Sequence, residues 1–440
     1  MDALLTMQII GGPVPWILCA LSAVCALLLL LRKPSPRWMI ASAAGILSGA
    51  LVALVFVLIA DATAMFEIPL PIEVAAWSIA TFAAVGLAIA SLWKSRWRRK
   101  LLAAVGIVVF AITGVVQVNA VFDLNPTVGD LLGVVVRHPI TLPKAHATAA
   151  PTDGQPLAAT WVAPANMPST GRVGTVTIPA TVSKFSARPA GLYLPPAALV
   201  KNPPALPLVI MMMGYPGTPN PAPISAVMNK FASEHQGLAP IVVVADQIGQ
   251  HGDPACADSA KLGHAATYIK TDVLDWAKAH LHIIRDPRYV VIAGYSNGAT
   301  CAVKFAAQDP KAFGNVLSVS PEQYPGMHYS QTVIQTVYGG DRSSWEADKP
   351  ETILADHSGS YSGVNAVITT GALDTAFGPA TRSLAGAARA AGMHVSLLTI
   401  PGVAHVGKNL SAGLTEGFAQ LAQVLGLATS HPSVSASGAH

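Results

Sequence analysis

The chain has 440 residues, 52% hydrophobic and only 11% charged, with four cysteines and a mean hydropathy of +0.48. An average soluble chain is about 25% charged, so this balance excludes intrinsic disorder and a small disulfide scaffold and argues against an all-soluble protein. The net charge of +4 is confined to residues 1–122, which hold eight basic and four acidic side chains against nineteen of each in the remainder; with no Lys/Arg-rich face or arm in that neutral remainder, nucleic acid is not an expected partner.

Four apolar stretches long enough to cross a bilayer come first, at about 14–31, 38–60, 72–93 and 101–122. No basic segment precedes the first, and three more follow, so it reads as a retained helix and not a signal peptide. Arg32, Lys33 and Arg37 lie in the first connection, and Lys94, Arg96, Arg98, Arg99 and Lys100 in the third. The second carries Asp61, Glu67 and Glu73 and no basic residue. The positive-inside rule then places connections one and three in the cytoplasm, and the N-terminus and everything after Phe122 outside. Gly45 and Gly49, extended by Ala41 and Ala53, form a small-residue stripe that permits close packing inside the bundle. No ionisable residue sits mid-span, so ion or proton transport is disfavoured.

Residues 123–170, punctuated by proline, read as an extracytoplasmic connector. Beyond them strands alternate with helices. Strands are predicted over Gly174–Val182, Ala190–Leu194, Leu206–Met213, Ile241–Ala245, Tyr289–Ala293, Asn315–Ser318, Thr332–Tyr338, Asn365–Thr370 and His394–Ile400. Helices are predicted near Ala265–Leu281, Gly298–Gln308, Ala380–Ala391 and Leu410–Leu425. Such alternation predicts a mostly parallel sheet covered on both faces, over residues 171–427, with 428–440 a small, polar, disordered tail. There is no CxxC, HExxH or P-loop pattern, and neither metal nor cofactor is expected.

Chemistry concentrates at Gly294-Tyr295-Ser296-Asn297-Gly298, a G-x-S-x-G pentapeptide directly after the apolar run Val290–Ala293 and before a helical run. In that context a serine sits on a sharp strand-to-helix turn with its hydroxyl raised above the sheet edge. A serine hydroxyl needs a base, and the base a carboxylate; in an α/β-hydrolase they follow in the order Ser, Asp or Glu, His. Asp374 and His405 each follow a predicted strand, ending at Thr370 and Ile400, and so share the nucleophile's sheet edge. Asp341, after the predicted strand Thr332–Tyr338, is the rival acid. The backbone N–H of Asn297 is the first expected oxyanion donor; the second is expected from Met213–Gly217, where Pro216 has none and Tyr215 is favoured. Cys256 and Cys301 would be oxidised together outside the cytoplasm, which predicts a disulfide between them. Cys19 and Cys25 lie in the first span.

The segment from Gly294 to Ser320, with "DP..F" after its helix and "S.S" at its strand end, resembles the esterase D group of α/β-hydrolases, which includes the mycolyltransferases of acid-fast cell envelopes. Ala255–Trp276 ("ACADSAKLGHAATYIKTDVLDW") is similar to the segment preceding the elbow in that group. The likeness covers about residues 170–427, and four spans ahead of such a domain are similar in layout to membrane-anchored esterases of actinobacterial type. Two departures stand out: Asn297 replaces the methionine common after the nucleophile, and the oxyanion loop reads Met-Gly-Tyr. The expectation is therefore a four-helix transmembrane bundle followed by an α/β-hydrolase domain, a multi-pass membrane esterase or acyltransferase acting outside the cytoplasm on a lipid or envelope ester. A non-catalytic envelope scaffold retaining the fold is the alternative.

Overall fold

The computed structural model describes residues 2–32, 35–63, 70–93, 95–123, 125–132, 140, 155–215 and 217–429. The run His146–Gly154 of the expected connector, the tail from 430, and Lys33, Glu67 and Lys94 lie outside the described residues. The chain divides into two compact units, Met1–Val136 and Arg137–His440.

The first unit is built on four helices, Pro13–Leu30, Pro36–Ala62, Ile72–Leu92 and Trp97–Phe122, each long and apolar enough to cross a membrane. Proline opens the first two, where its missing N–H is no loss, and Ser35 caps the second by accepting from the Trp38 N–H. Many large apolar side chains on these helices, such as Leu47, Leu51, Leu58 and Val108, are exposed. The glycine stripe does its packing inside the unit: a Cβ on Gly45 would stand 2.5 Å from the Gly86 carbonyl oxygen, and one on Gly49 would strike that of Phe82. Ser22 and Thr113, on the first and fourth of these helices, pair through their hydroxyls at 2.8 Å.

The second unit holds an eight-stranded sheet. We label its strands β1 (Arg172–Val176), β2 (Ala190–Leu194), β3 (Leu208–Met212), β4 (Ile241–Ala245), β5 (Val290–Tyr295), β6 (Asn315–Val319), β7 (Asn365–Gly371) and β8 (His394–Ile400). Their spatial order is β1-β2-β4-β3-β5-β6-β7-β8. From β4 to β8 all neighbours are parallel, while β2 is antiparallel to both β1 and β4. Strands β2 to β6 are buried along their whole length, which is why they read as unbroken apolar runs. Helices cover the sheet, including Ala222–Glu234, Asn297–Gln308, Gly378–Ala391 and Asn409–Leu421.

Two predicted strands need correction. The segment Thr332–Tyr338 is not a strand: Ser330–Thr336 is helical, and its buried residues Val333, Ile334 and Val337 fall at helical spacing, packed in one cluster with Ala255, Ala257 and Trp345. Its β-branched composition suggested a strand, and tertiary packing overrode it. The first strand stops at Val176 instead of running to Val182. Pro179 cannot donate to a ladder, and Thr181, Val182 and Ser183 turn to donate to the Asp272 carboxylate instead. Burial works against the Asp272 charge, but these hydrogen bonds outweigh it and hold the carboxyl below the usual range.

Candidate active site

Strand β5 ends in the G-x-S-x-G turn at the carboxyl edge of the sheet. Ser296 has φ 54° and ψ −119°, a conformation an L-residue rarely adopts, and its N–H donates to the Val319 carbonyl at 2.9 Å. The flanking glycines make the turn possible. A Cβ on Gly294 would strike the Gly298 backbone, and one on Gly298 would strike the carbonyl oxygen of Met212 in β3. The helix Asn297–Gln308 starts immediately afterwards.

The loops after β7 and β8 bring Asp374 and His405 to this turn. His405 Nε2 lies 3.0 Å from Ser296 Oγ, and His405 Nδ1 lies 2.9 Å from Asp374 Oδ2. With the Nδ1 proton donated to the carboxylate, Nε2 is left as acceptor for the serine hydroxyl. Both partners are withdrawn from water, their side chains 9% and 1% exposed. Burial pushes the Asp374 carboxyl up, but the hydrogen bond from His405, its charge, the Phe377 N–H and the Ser320 hydroxyl outweigh it and hold the group below the ordinary range.

Aromatic rings and amides fix the imidazole. Phe377 donates its N–H to Asp374 Oδ1 at 2.9 Å and lays its ring over His405, centroids 4.2 Å apart. The Tyr295 hydroxyl donates to the His405 carbonyl at 2.7 Å, and Asn409 Nδ2 donates to the same oxygen at 3.0 Å and to Ser320 Oγ at 2.7 Å. His328 packs edge-on against Phe377, and burial with the charge of His405 pushes its imidazole below the ordinary histidine range.

The rival acid Asp341 is elsewhere. It caps the helix Arg342–Ala347, accepting from the N–H groups of Ser343 and Ser344 at 2.9 and 3.1 Å, a consequence of the helix that replaces the predicted strand before it. Of the expected oxyanion donors, Asn297 begins the helix after the nucleophile. Tyr215 lies in the loop after β3, where a Cβ on the preceding Gly214 would stand 3.3 Å from Ser296 Cβ, so that loop's backbone runs beside the nucleophile. Cys256 and Cys301 are joined by a disulfide with a Cα–Cα distance of 5.3 Å. Among the described residues no group of three or more His, Cys, Asp or Glu could hold a metal ion.

Residues 186–404 match the esterase family model, described as "Putative esterase". The second unit has the α/β-hydrolase fold. An uncharacterized protein of Corynebacterium glutamicum is 29% identical to the chain over 400 residues, covering 87% of this chain and 88% of its own. Among solved structures, an S-formylglutathione hydrolase from Agrobacterium tumefaciens superposes with a TM-score of 0.50 at 18% identity, over 59% of this chain and 98% of that one. A ferulic acid esterase superposes with the same score at 16% identity, over 59% of this chain and 100% of that one. At such identities these two structures establish the shared fold.

Within this domain, several polar residues around the site escaped the sequence reading. Arg188 forms a two-pronged pair with Asp246, at 2.9 and 2.6 Å, and donates to the Gly217 carbonyl at 2.8 Å, which pins the loop after β3. Gln247 and Asp253 meet Asn297 and are taken up below. A signal was present: Asp246-Gln247 directly follows the apolar β4 at the carboxyl edge of the sheet, where polar residues face a site.

Proposed function

We propose that the protein is a membrane-anchored serine esterase or acyltransferase that works outside the cytoplasm on a lipid or envelope ester, aminoacylated phospholipids included. The observation that carries it is the unbroken chain from Ser296 Oγ through His405 to Asp374, with contacts of 3.0 and 2.9 Å. Ser296 attacks the acyl carbonyl while His405 Nε2 takes its proton; Asp374 stabilises the imidazolium. The oxyanion is held by the N–H groups of Asn297 and Tyr215. His405 returns the proton to the departing alcohol, which leaves an acyl group on Ser296. Water or a second hydroxyl then enters by the same route, so hydrolysis and transfer differ only in the acceptor. The esterase family match supports the chemistry. The four apolar helices and the basic residues between the first and second and between the third and fourth support the anchoring and the orientation.

The test is a membrane-impermeant fluorophosphonate applied to intact cells. Labelling of wild type and not of Ser296→Ala is the expected result. Labelling only after permeabilisation overturns the orientation and keeps the enzyme, and no labelling in either state favours a non-catalytic scaffold.

A further inference from the structure

Behind the nucleophile a buried polar network joins the two sides of the oxyanion hole, and the catalytic chain does not use it. Gln247, 1% exposed, follows the end of β4 by two positions. Its Nε2 donates to the Met213 carbonyl at 2.5 Å and to Asn297 Oδ1 at 3.2 Å. The Met213 carbonyl shares one planar peptide with the Gly214 N–H, so this bond sets the tilt of the peptide immediately before the one that carries the Tyr215 N–H. On its other side Asn297 Nδ2 donates to Asp253 Oδ2 at 2.8 Å. The same carboxylate accepts the Tyr329 hydroxyl at 2.9 Å and the Ala255 N–H at 2.8 Å. The side chain of Asn297 is thus gripped at both ends, which removes the torsional freedom of the residue proposed above as the first oxyanion donor.

Apolar side chains would fill this volume without desolvating an amide pair and a carboxylate, and a fully satisfied polar cluster gives one geometry where an apolar one tolerates several.

We propose that Gln247 and Asp253 are positioning residues that act through the Asn297 side chain and the Met213 carbonyl to hold the two halves of the oxyanion hole in register; this rests on the esterase reading above. The network touches no substrate. Its effect is on where two N–H groups point, and a misplacement of about 1 Å at such a site costs on the order of 100-fold in rate.

The experiment uses the full chain in detergent micelles, with Gln247→Leu, Asn297→Met, the double variant and Asp253→Asn. Turnover of p-nitrophenyl acetate is divided by the concentration of sites labelled to completion with a fluorophosphonate, which removes any unfolded fraction. Where turnover is too slow to follow, the rate constant of labelling serves instead. Each of the first two variants is expected to lose about 30-fold in kcat, with KM within about threefold and the pH midpoint of kcat/KM unmoved, because His405 and Asp374 are untouched. The double variant is expected to fall no more than about threefold below the worse single, since the groups act as a unit. Asp253→Asn keeps one acceptor oxygen and should lie between wild type and Asn297→Met. Single variants with wild-type kcat overturn the proposal, and so do losses that multiply in the double. Should one variant fail to fold, the other single and Asp253→Asn decide alone, a wild-type kcat in both overturning it. A wild type that neither labels nor turns over the ester sinks the esterase reading and this inference together; a wild type that does both while the variants match it sinks only the inference.

Discussion

Asp374 is where the site's electrostatics become measurable. Its carboxyl is held below the ordinary range because the contacts from His405, Phe377 and Ser320 outweigh burial. A carboxylate with a lowered folded value contributes stability that is complete above its unfolded value, about 3.9, and is lost as pH falls through the folded value. The melting temperature of the full chain should therefore fall as the medium is acidified below about pH 4, and Asp374→Asn should flatten that part of the profile. Equal acid sensitivity in both proteins would contradict the assignment. At neutral pH the same substitution should lower kcat by roughly 100- to 10,000-fold while leaving Ser296 in place, since the imidazole loses the partner that fixes its tautomer. At this scale the sequence was explicit about the three residues in the chain of contacts and silent about the amides that orient them. Ser296, Asp374 and His405 are tied to strand ends, which an apolar run reveals. The grip on the His405 carbonyl by Tyr295, and on Asn297 by Gln247 and Asp253, joins residues 44 to 110 positions apart, and no local pattern encodes such a meeting.

Elements fared according to how much of their burial is set locally. Strands β2 and β4 are where the apolar runs put them, because a strand covered on both faces has no reason to alternate. The helix Ser330–Thr336 was misread because a short β-branched run suits either structure until its neighbours are known. Its buried residues meet Ala255 and Ala257, next to Cys256, and both Ala255 and Cys256 have φ near 53°. That loop carries Asp253 and is tied to the elbow helix by the disulfide to Cys301, across a sequence separation of 45. Closing a loop of that length removes unfolded-state freedom worth about 4 kcal/mol in the chain-entropy description. The double variant Cys256→Ser/Cys301→Ser should unfold earlier in denaturant by that order, and wild type should shift in the same direction when reduced. No shift in either case would mean the bridge constrains little.

For the whole molecule the informative asymmetry is charge. All of the net +4 lies in residues 1–122, its basic residues in or beside the connections between apolar helices, while residues 123–440 are neutral overall. If the positive-inside rule governs, an exposed position in the hydrolase unit and one in the connection between the third and fourth helices lie on opposite sides of the membrane. In a chain with Cys19 and Cys25 replaced by serine, Ala159→Cys should react with an impermeant maleimide on intact cells. Ser95→Cys should react only after permeabilisation. The reverse pattern would turn the molecule over.

Gly298 carries one more consequence. Any other residue there adds at least a Cβ, and the atom it meets is the backbone oxygen of Met212 in a central strand. A side-chain clash can be relieved by shrinking the neighbour, but no substitution at position 212 removes a carbonyl. Gly298→Ala should therefore abolish labelling, and a selection for restored activity should return glycine at position 298 and no compensating change elsewhere. In genetic terms the position has no suppressors.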